Sequence, residues 1–221
     1  MSSTKTKKGT STGRSTFRGN LETTPTQTVA KSGRGRPRSP ETRAKILKAA
    51  YEMLLEVGFM DLTIEGVAAR AEVGKPTIYR RWKTKAALAM DAFLDAVNPE
   101  LAFPDTGEAS KDFKEQMQKI VKLMNSPRGE VLASVIGCGQ ADEELIAAFR
   151  ENWLIPRRKD AKQIFQRGVE RGELRADVDA EVVIDALYSP LFYRLLLKHQ
   201  PLTKKLVNEL VDLVMNGLAC R

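Results

Sequence analysis

The chain has 221 residues, of which 42% are hydrophobic and 29% charged, enough for one sizeable core and a small head. Its formal charge is +8, yet residues 1–40 carry nine basic groups against the single acid Glu22, while residues 41–221 carry 27 of each sign. No run approaches the roughly 18 consecutive apolar residues of a membrane span, and the polar N-terminus has no signal-peptide core, so a cytoplasmic protein with no membrane partner is expected. Cys138 and Cys220 are too far apart in sequence to suggest a disulfide framework or a metal spacing, and both read as reduced thiols.

Residues 1–38 are rich in Ser, Thr, Gly and Lys, with Phe17 the only aromatic, and show no apolar period. Burial cannot offset the entropy of ordering such a segment, so it reads as a disordered basic arm. Its end, Gly33-Arg34-Gly35-Arg36-Pro37-Arg38, resembles an AT-hook core. Glycine allows close approach, proline keeps the chain extended, and Arg34, Arg36 and Arg38 suit the negative potential of a narrow minor groove.

Ser39-Pro40-Glu41 gives an N-cap, a proline in the first helical turn and an early acid, so a helix is predicted from Pro40. Ala44, Leu47, Ala50, Tyr51, Leu54, Leu55 and Val57 supply its buried stripe, and Gly58 ends it. Residues 62–88 then hold two short helices, a tight turn and six basic residues. Thr63 caps a helix over 64–70 whose Ile64, Val67, Ala68 and Ala71 face the core. Val73 plugs the turn, and Gly74 opens a helix over 75–81 with Pro76 in its first turn. Ile78 and Trp82, at i and i+4, hold that helix down. Thr84 caps the next helix from Lys85, an ammonium badly placed for the helix dipole unless a phosphate lies nearby.

On these residues, from the Thr-capped helix through Lys75-Pro76-Thr77-Ile78-Tyr79 and Trp82 to Lys83-Thr84-Lys85, the chain resembles the TetR family of bacterial transcriptional regulators. The resemblance implies an all-α fold: an N-terminal three-helix helix-turn-helix head over 39–86, then a helical body over 87–221 for dimerisation and effector binding. Position by position it implies DNA contacts at Lys75, Pro76, Thr77, Tyr79, Arg80, Arg81 and Lys85, with Thr63 on the backbone. Glu65 stands where other members place a basic base-reading residue.

Downstream, the helix from Lys85 stops at Asn98-Pro99, residues 98–109 form a loop, and helices are expected over 110–125, 127–137, 142–172, 179–199 and 203–218. Pro156 and Pro190 fall inside two of these and imply a kink or break. The last two stretches, 179–218, carry apolar stripes wider than one core needs, which suits a four-helix bundle with a second copy and hence a homodimer. Among the large side chains of the middle helices, Met117, Val121, Met124, Phe149, Trp153, Phe165, Tyr188 and Phe192 are candidates to line an apolar cavity for a mostly apolar effector. The lone histidine, His199, reads as a helix C-cap, and no nucleophile-base pair, phosphate loop, cofactor motif or metal spacing appears, so no enzyme is expected. The predicted function is a ligand-responsive repressor that binds a palindromic operator in double-stranded DNA. The alternatives are an architectural DNA binder led by the arm, or a small-molecule binding protein with a vestigial head.

Overall fold

The computed structural model describes residues 40–218. They form ten α-helices: α1 (Pro40–Asp61), α2 (Ile64–Arg70), α3 (Lys75–Tyr79), α4 (Lys85–Val97), α5 (Ala109–Met124), α6 (Pro127–Gly139), α7 (Glu143–Phe149), α8 (Ile155–Glu170), α9 (Ala180–Leu197) and α10 (Lys204–Leu218). The arm with Arg34, Arg36 and Arg38, and Cys220, lie outside the described residues.

Helix starts follow side-chain caps. Thr63 accepts from the Gly66 amide and Thr84 from that of Ala87, both at 3.1 Å; Asp142 accepts from Leu145 at 3.0 Å and Asp179 from Glu181 at 2.8 Å. Each satisfies an amide that the first helical turn leaves without a partner.

In α1 the buried face is Ile46, Leu47, Ala49, Ala50 and Leu54, with Tyr51 and Met53 half-buried. The expected stripe needs correction: Ala44, Leu55 and Val57 are exposed, because the face follows one narrow line around the helix. Gly58 interrupts α1 at φ 74°, a left-handed conformation that costs glycine little, and one further turn follows to Asp61. That turn buries Phe59 and points the Met60 carbonyl at Lys85 Nζ, 3.1 Å away; the ammonium also lies 4.5 Å from the centre of the Phe59 ring. The unfavourable charge at the start of α4 is thus met by the carbonyl end of α1 and an aromatic face.

The turn between α2 and α3 is a Schellman motif. Val73 N–H donates to the Ala68 carbonyl at 3.0 Å and Glu72 N–H to that of Ala69 at 3.2 Å, with Glu72 left-handed at φ 55° and Val73 packed on the core. Helix α3 ends at Tyr79, short of the expected 81, and Arg80 and Arg81 continue as a turn.

One apolar core runs through head and body. Helix α4 belongs to both, packing on α1 on one side and on α7 and the turn after it on the other. The expected helix over 142–172 is divided: a π-helical turn, Arg150–Leu154, separates α7 from α8, whose first turn holds Pro156. Proline has no amide for the preceding turn, and the wider turn absorbs the mismatch. Helix α9, by contrast, passes through Pro190 unbroken. It is capped by Lys198 in the left-handed conformation, not by His199, whose ring meets that of Tyr193 at a tilt of 60° with centres 4.6 Å apart. The 101–108 connection is clamped from below by fully buried Asp112, which accepts from Thr106 N–H at 2.8 Å and the Thr106 hydroxyl at 2.7 Å.

Candidate nucleic-acid interface

Ile78 and Trp82 are buried beneath α3, so the helix presents its other side outward. The Trp82 indole N–H donates to Asp91 Oδ2 at 2.8 Å, and Arg43 donates to both Asp91 oxygens at 2.9 and 3.0 Å and to Asp95 at 3.1 Å. This network ties the end of α3 to α4 and α1, which holds the exposed face in a fixed orientation.

On that face Lys75, Pro76, Tyr79 and Arg80 are exposed, and Thr77, Arg81 and Lys85 half-buried; Thr63, at the start of α2, is exposed. The basic groups fall into two classes. Arg70 is bidentate to Glu56 at 2.9 and 2.7 Å, Lys75 is paired with Glu65 at 2.9 Å, and Lys85 rests on Met60. Arg80, Arg81 and Lys83 have no carboxylate within ion-pair distance among the described residues. The free cations are therefore those just beyond the helix, and the first residue of α3 is already engaged. The Glu65 partner holds the Lys75 ammonium above its ordinary value and is itself held below the usual carboxylate range by the Lys75 hydrogen bond. The lone acid on α2 is thus the anchor of a basic residue on α3. A spacing of ten residues across a turn has no helical period, so this pairing is invisible to pattern reading.

In the body, a partly open space of about 40 Å³ lies between α5, α8 and α9. Trp153, Tyr188 and Phe192 border it, as do Phe103, Gln116 and Arg157. The other expected wall residues are placed elsewhere: Met117, Val121, Phe149 and Phe165 are packed in the core, and Met124 borders a separate open groove of about 720 Å³ beside the end of α9. That groove has its charges satisfied, with Lys198 on Glu130 at 2.9 Å and Arg194 on the Pro201 carbonyl at 2.9 Å. The helical period identified inward-facing side chains without saying which neighbour each face meets. Gln116 and Arg157 were missed as wall residues because a single buried polar group has no sequence period.

Arg157 donates to Asn98 Oδ1 at 2.8 Å and to the Leu101 carbonyl at 3.4 Å, and its guanidinium lies 4.1 Å from the centre of the Trp153 ring. Trp153 in turn meets Phe93 of α4, with ring centres 5.5 Å apart. The far end of α4 thus rests on the cavity wall, while its first residue is Lys85. Among the described residues no cluster of His, Cys, Asp and Glu has the geometry of a metal site, and no helix is long and apolar enough to cross a membrane.

Comparison with known proteins agrees with this layout. Residues 46–92 match the model described as bacterial regulatory proteins, tetR family, and residues 103–214 match the tetracyclin repressor-like C-terminal domain. The chain is 42% identical to the uncharacterised HTH-type transcriptional regulator YdeS of Bacillus subtilis, over 84% of this chain and 92% of that protein. It is 32% identical to the DNA-binding transcriptional repressor TetR of Mycobacteroides abscessus, over 79% of this chain and 93% of that one. Among solved structures, the TetR family transcription regulator SCO0332 superposes with a TM-score of 0.72 at 36% identity, covering 81% of this chain and all of that one.

Proposed function

The chain belongs to the TetR family of bacterial transcriptional regulators, and from that premise we propose that it is a ligand-responsive repressor that binds a palindromic operator as a homodimer. Like its relatives it is a regulator and not an enzyme. The observation that carries the ligand-responsive part is α4, one rigid helix with Lys85 of the head at its start and the Arg157–Asn98 contact of the cavity at its end. A ligand that rearranges the cavity wall has a direct lever on the spacing of two heads.

In this reading α3 enters the major groove. Lys75, Thr77 and Arg80 read base edges; Tyr79, Arg81 and Lys85 hold phosphates, with Pro76 and Thr63 against the backbone; Arg34, Arg36 and Arg38 follow the minor groove. The site of action is the cytoplasm, where chromosomal DNA is. The second copy docks on α9 and α10, whose Val182, Tyr193, Leu196, Leu197 and Leu213 are large apolar side chains in solvent. To convert a 99:1 excess of the DNA-competent state to 1:99, an effector must prefer the other state by about 10⁴.

Selection of bound sequences from a random duplex pool tests the reading. A palindrome with half-sites about one helical turn apart is expected, bound roughly 10³-fold or more above bulk DNA. A ratio near one favours the architectural alternative. Replacing Lys75 and Tyr79 together with Ala should abolish operator binding; retained binding refutes the assignment of α3.

A further inference from the structure

The small cavity contains hydrogen-bonding capacity that the protein does not use. Gln116 is fully buried; its Oε1 accepts from the Tyr188 hydroxyl at 2.6 Å, while its Nε2 has no partner. Arg157 Nε is also buried and unpartnered. The remaining Arg157 contacts are to neutral acceptors, Asn98 Oδ1 and the Leu101 carbonyl, and no carboxylate lies within ion-pair distance of it among the described residues. Arg158, on the same wall, shows the contrast, since it is neutralised by Glu181 and by Asp185, the latter at 2.6 Å.

Burial pushes Arg157 down to about 10 against the opposing pull of the Asp160 charge, which leaves it a partly desolvated cation at neutral pH. Burial raises the Tyr188 phenol well above its ordinary value, so it stays neutral and donates to Gln116 Oε1, which leaves the amide nitrogen as the open end. A half-buried cation with its Nε buried and unpartnered, beside an orphaned amide donor, is an expensive arrangement for a structural core. Two donors bordering one space, neither with an acceptor, define what is missing.

We propose that this cavity binds an organic carboxylate with an apolar body, held by Arg157 and Gln116 Nε2 at its head and by Phe103, Trp153 and Phe192 around its body. The inference rests on the ligand-responsive reading and names the ligand's chemical class. This partly open space, about 40 Å³, is close to the volume of one water. A second, more open space of about 230 Å³ lies across Trp153 and Arg157, which border both. A carboxylate that draws Arg157 away from Asn98 and Leu101 joins the two spaces. Asn98 is the C-cap residue of α4, so the same exchange removes a side-chain tether from the end of the helix that carries Lys85.

The test uses the full chain. Calorimetric titration with octanoate, 4-phenylbutyrate and naphthalene-2-carboxylate is set against their neutral amides, with operator affinity followed by fluorescence anisotropy in parallel. At least one acid should bind about 10-fold or more tighter than its amide. Arg157→Met should erase that preference, Arg157→Lys should retain part of it, and Gln116→Leu should reduce it. Thermal unfolding and operator binding without ligand report whether each variant is folded, and Gln116→Leu carries the test if Arg157→Met is not. Amides that bind as well as acids, or no acid binding at millimolar concentration, overturn the proposal. Acid binding with operator affinity unchanged upholds the site and refutes the ligand-responsive reading. Release by a neutral compound while the acids are silent does the reverse.

Discussion

Glu65 and Lys75 divide what charge does in the head from what it seems to do in the sequence. Lys75 is the first residue of α3, the proposed recognition helix, yet its ammonium is spent on Glu65 at 2.9 Å, while Arg80 and Arg81 have no acid partner among the described residues. An exposed pair of this kind adds little stability but fixes where one side chain points. Glu65 is held below the usual carboxylate range, so the pair is present above that depressed value and is lost only as pH falls through it. Across the neutral range the Lys75 ammonium is therefore held in one orientation. Glu65→Gln removes the anchor and frees one positive charge, and non-specific duplex affinity should rise with a salt dependence steeper by about 0.9 in log-log slope. Anisotropy titrations from low to high salt measure it, and an unchanged slope means that Lys75 makes no phosphate contact when released. Glu72 offers a second test at this scale, because its left-handed backbone strains any side chain. Glu72→Gly should raise stability by up to about 1 kcal/mol in thermal unfolding, with no change in DNA binding.

At the scale of elements, packing of helix against helix sets stricter limits than helix propensity. Gly129 lies in the first turn of α6, against the end of α5, and a Cβ there would stand 2.0 Å from the Met124 carbonyl oxygen. Backbone cannot yield as a side chain does, so Gly129→Ala should lower stability by about 1–3 kcal/mol or more, read from denaturant unfolding. Helix starts were legible in the sequence because caps are local: Pro40, Thr63, Thr84, Asp142 and Asp179 each stand at or just before a helix that begins there. The split of the 142–172 stretch was only half legible. Pro156 announces a discontinuity, but whether the chain answers with a kink, a break or a π turn depends on what Trp153 must reach, here Phe93 and Arg157. Pro190, equally visible, leaves α9 whole. The turn of the head was readable residue by residue, since it is built from contacts within a few residues, whereas the buried line of α1 and the Glu65–Lys75 pair were not. The cavity was not, because Gln116 and Tyr188 meet across 72 positions and Arg157 and Asn98 across 59.

For the whole molecule the decisive surface is the one that the monomer leaves unfinished. Helix α9 is apolar nearly all round: Val183, Ile184, Leu187, Leu191 and Leu195 face the core, while Val182, Tyr193, Leu196 and Leu197 face outward. A helix with apolar residues on every side calls for cover on every side. Leu213 on the neighbouring α10 is 73% exposed and extends the same need to the last helix. In the proposed dimer the second copy supplies the cover, and two heads would also compensate for the few free cations of each, since residues 41–221 carry no net charge. Once one head is bound, the second meets its half-site at an effective concentration set by the geometry of the dimer, in the millimolar range for short connections. Leu197→Glu and Leu213→Glu, on residues outside the core, should therefore leave each copy folded with little change in its circular dichroism. Sedimentation should show a monomer at micromolar concentration, and operator affinity should fall by roughly 100-fold or more while affinity for a single half-site stays unchanged. If the doubly substituted protein still sediments as a dimer, the second copy docks elsewhere, and the spacing of the heads is set by a different surface.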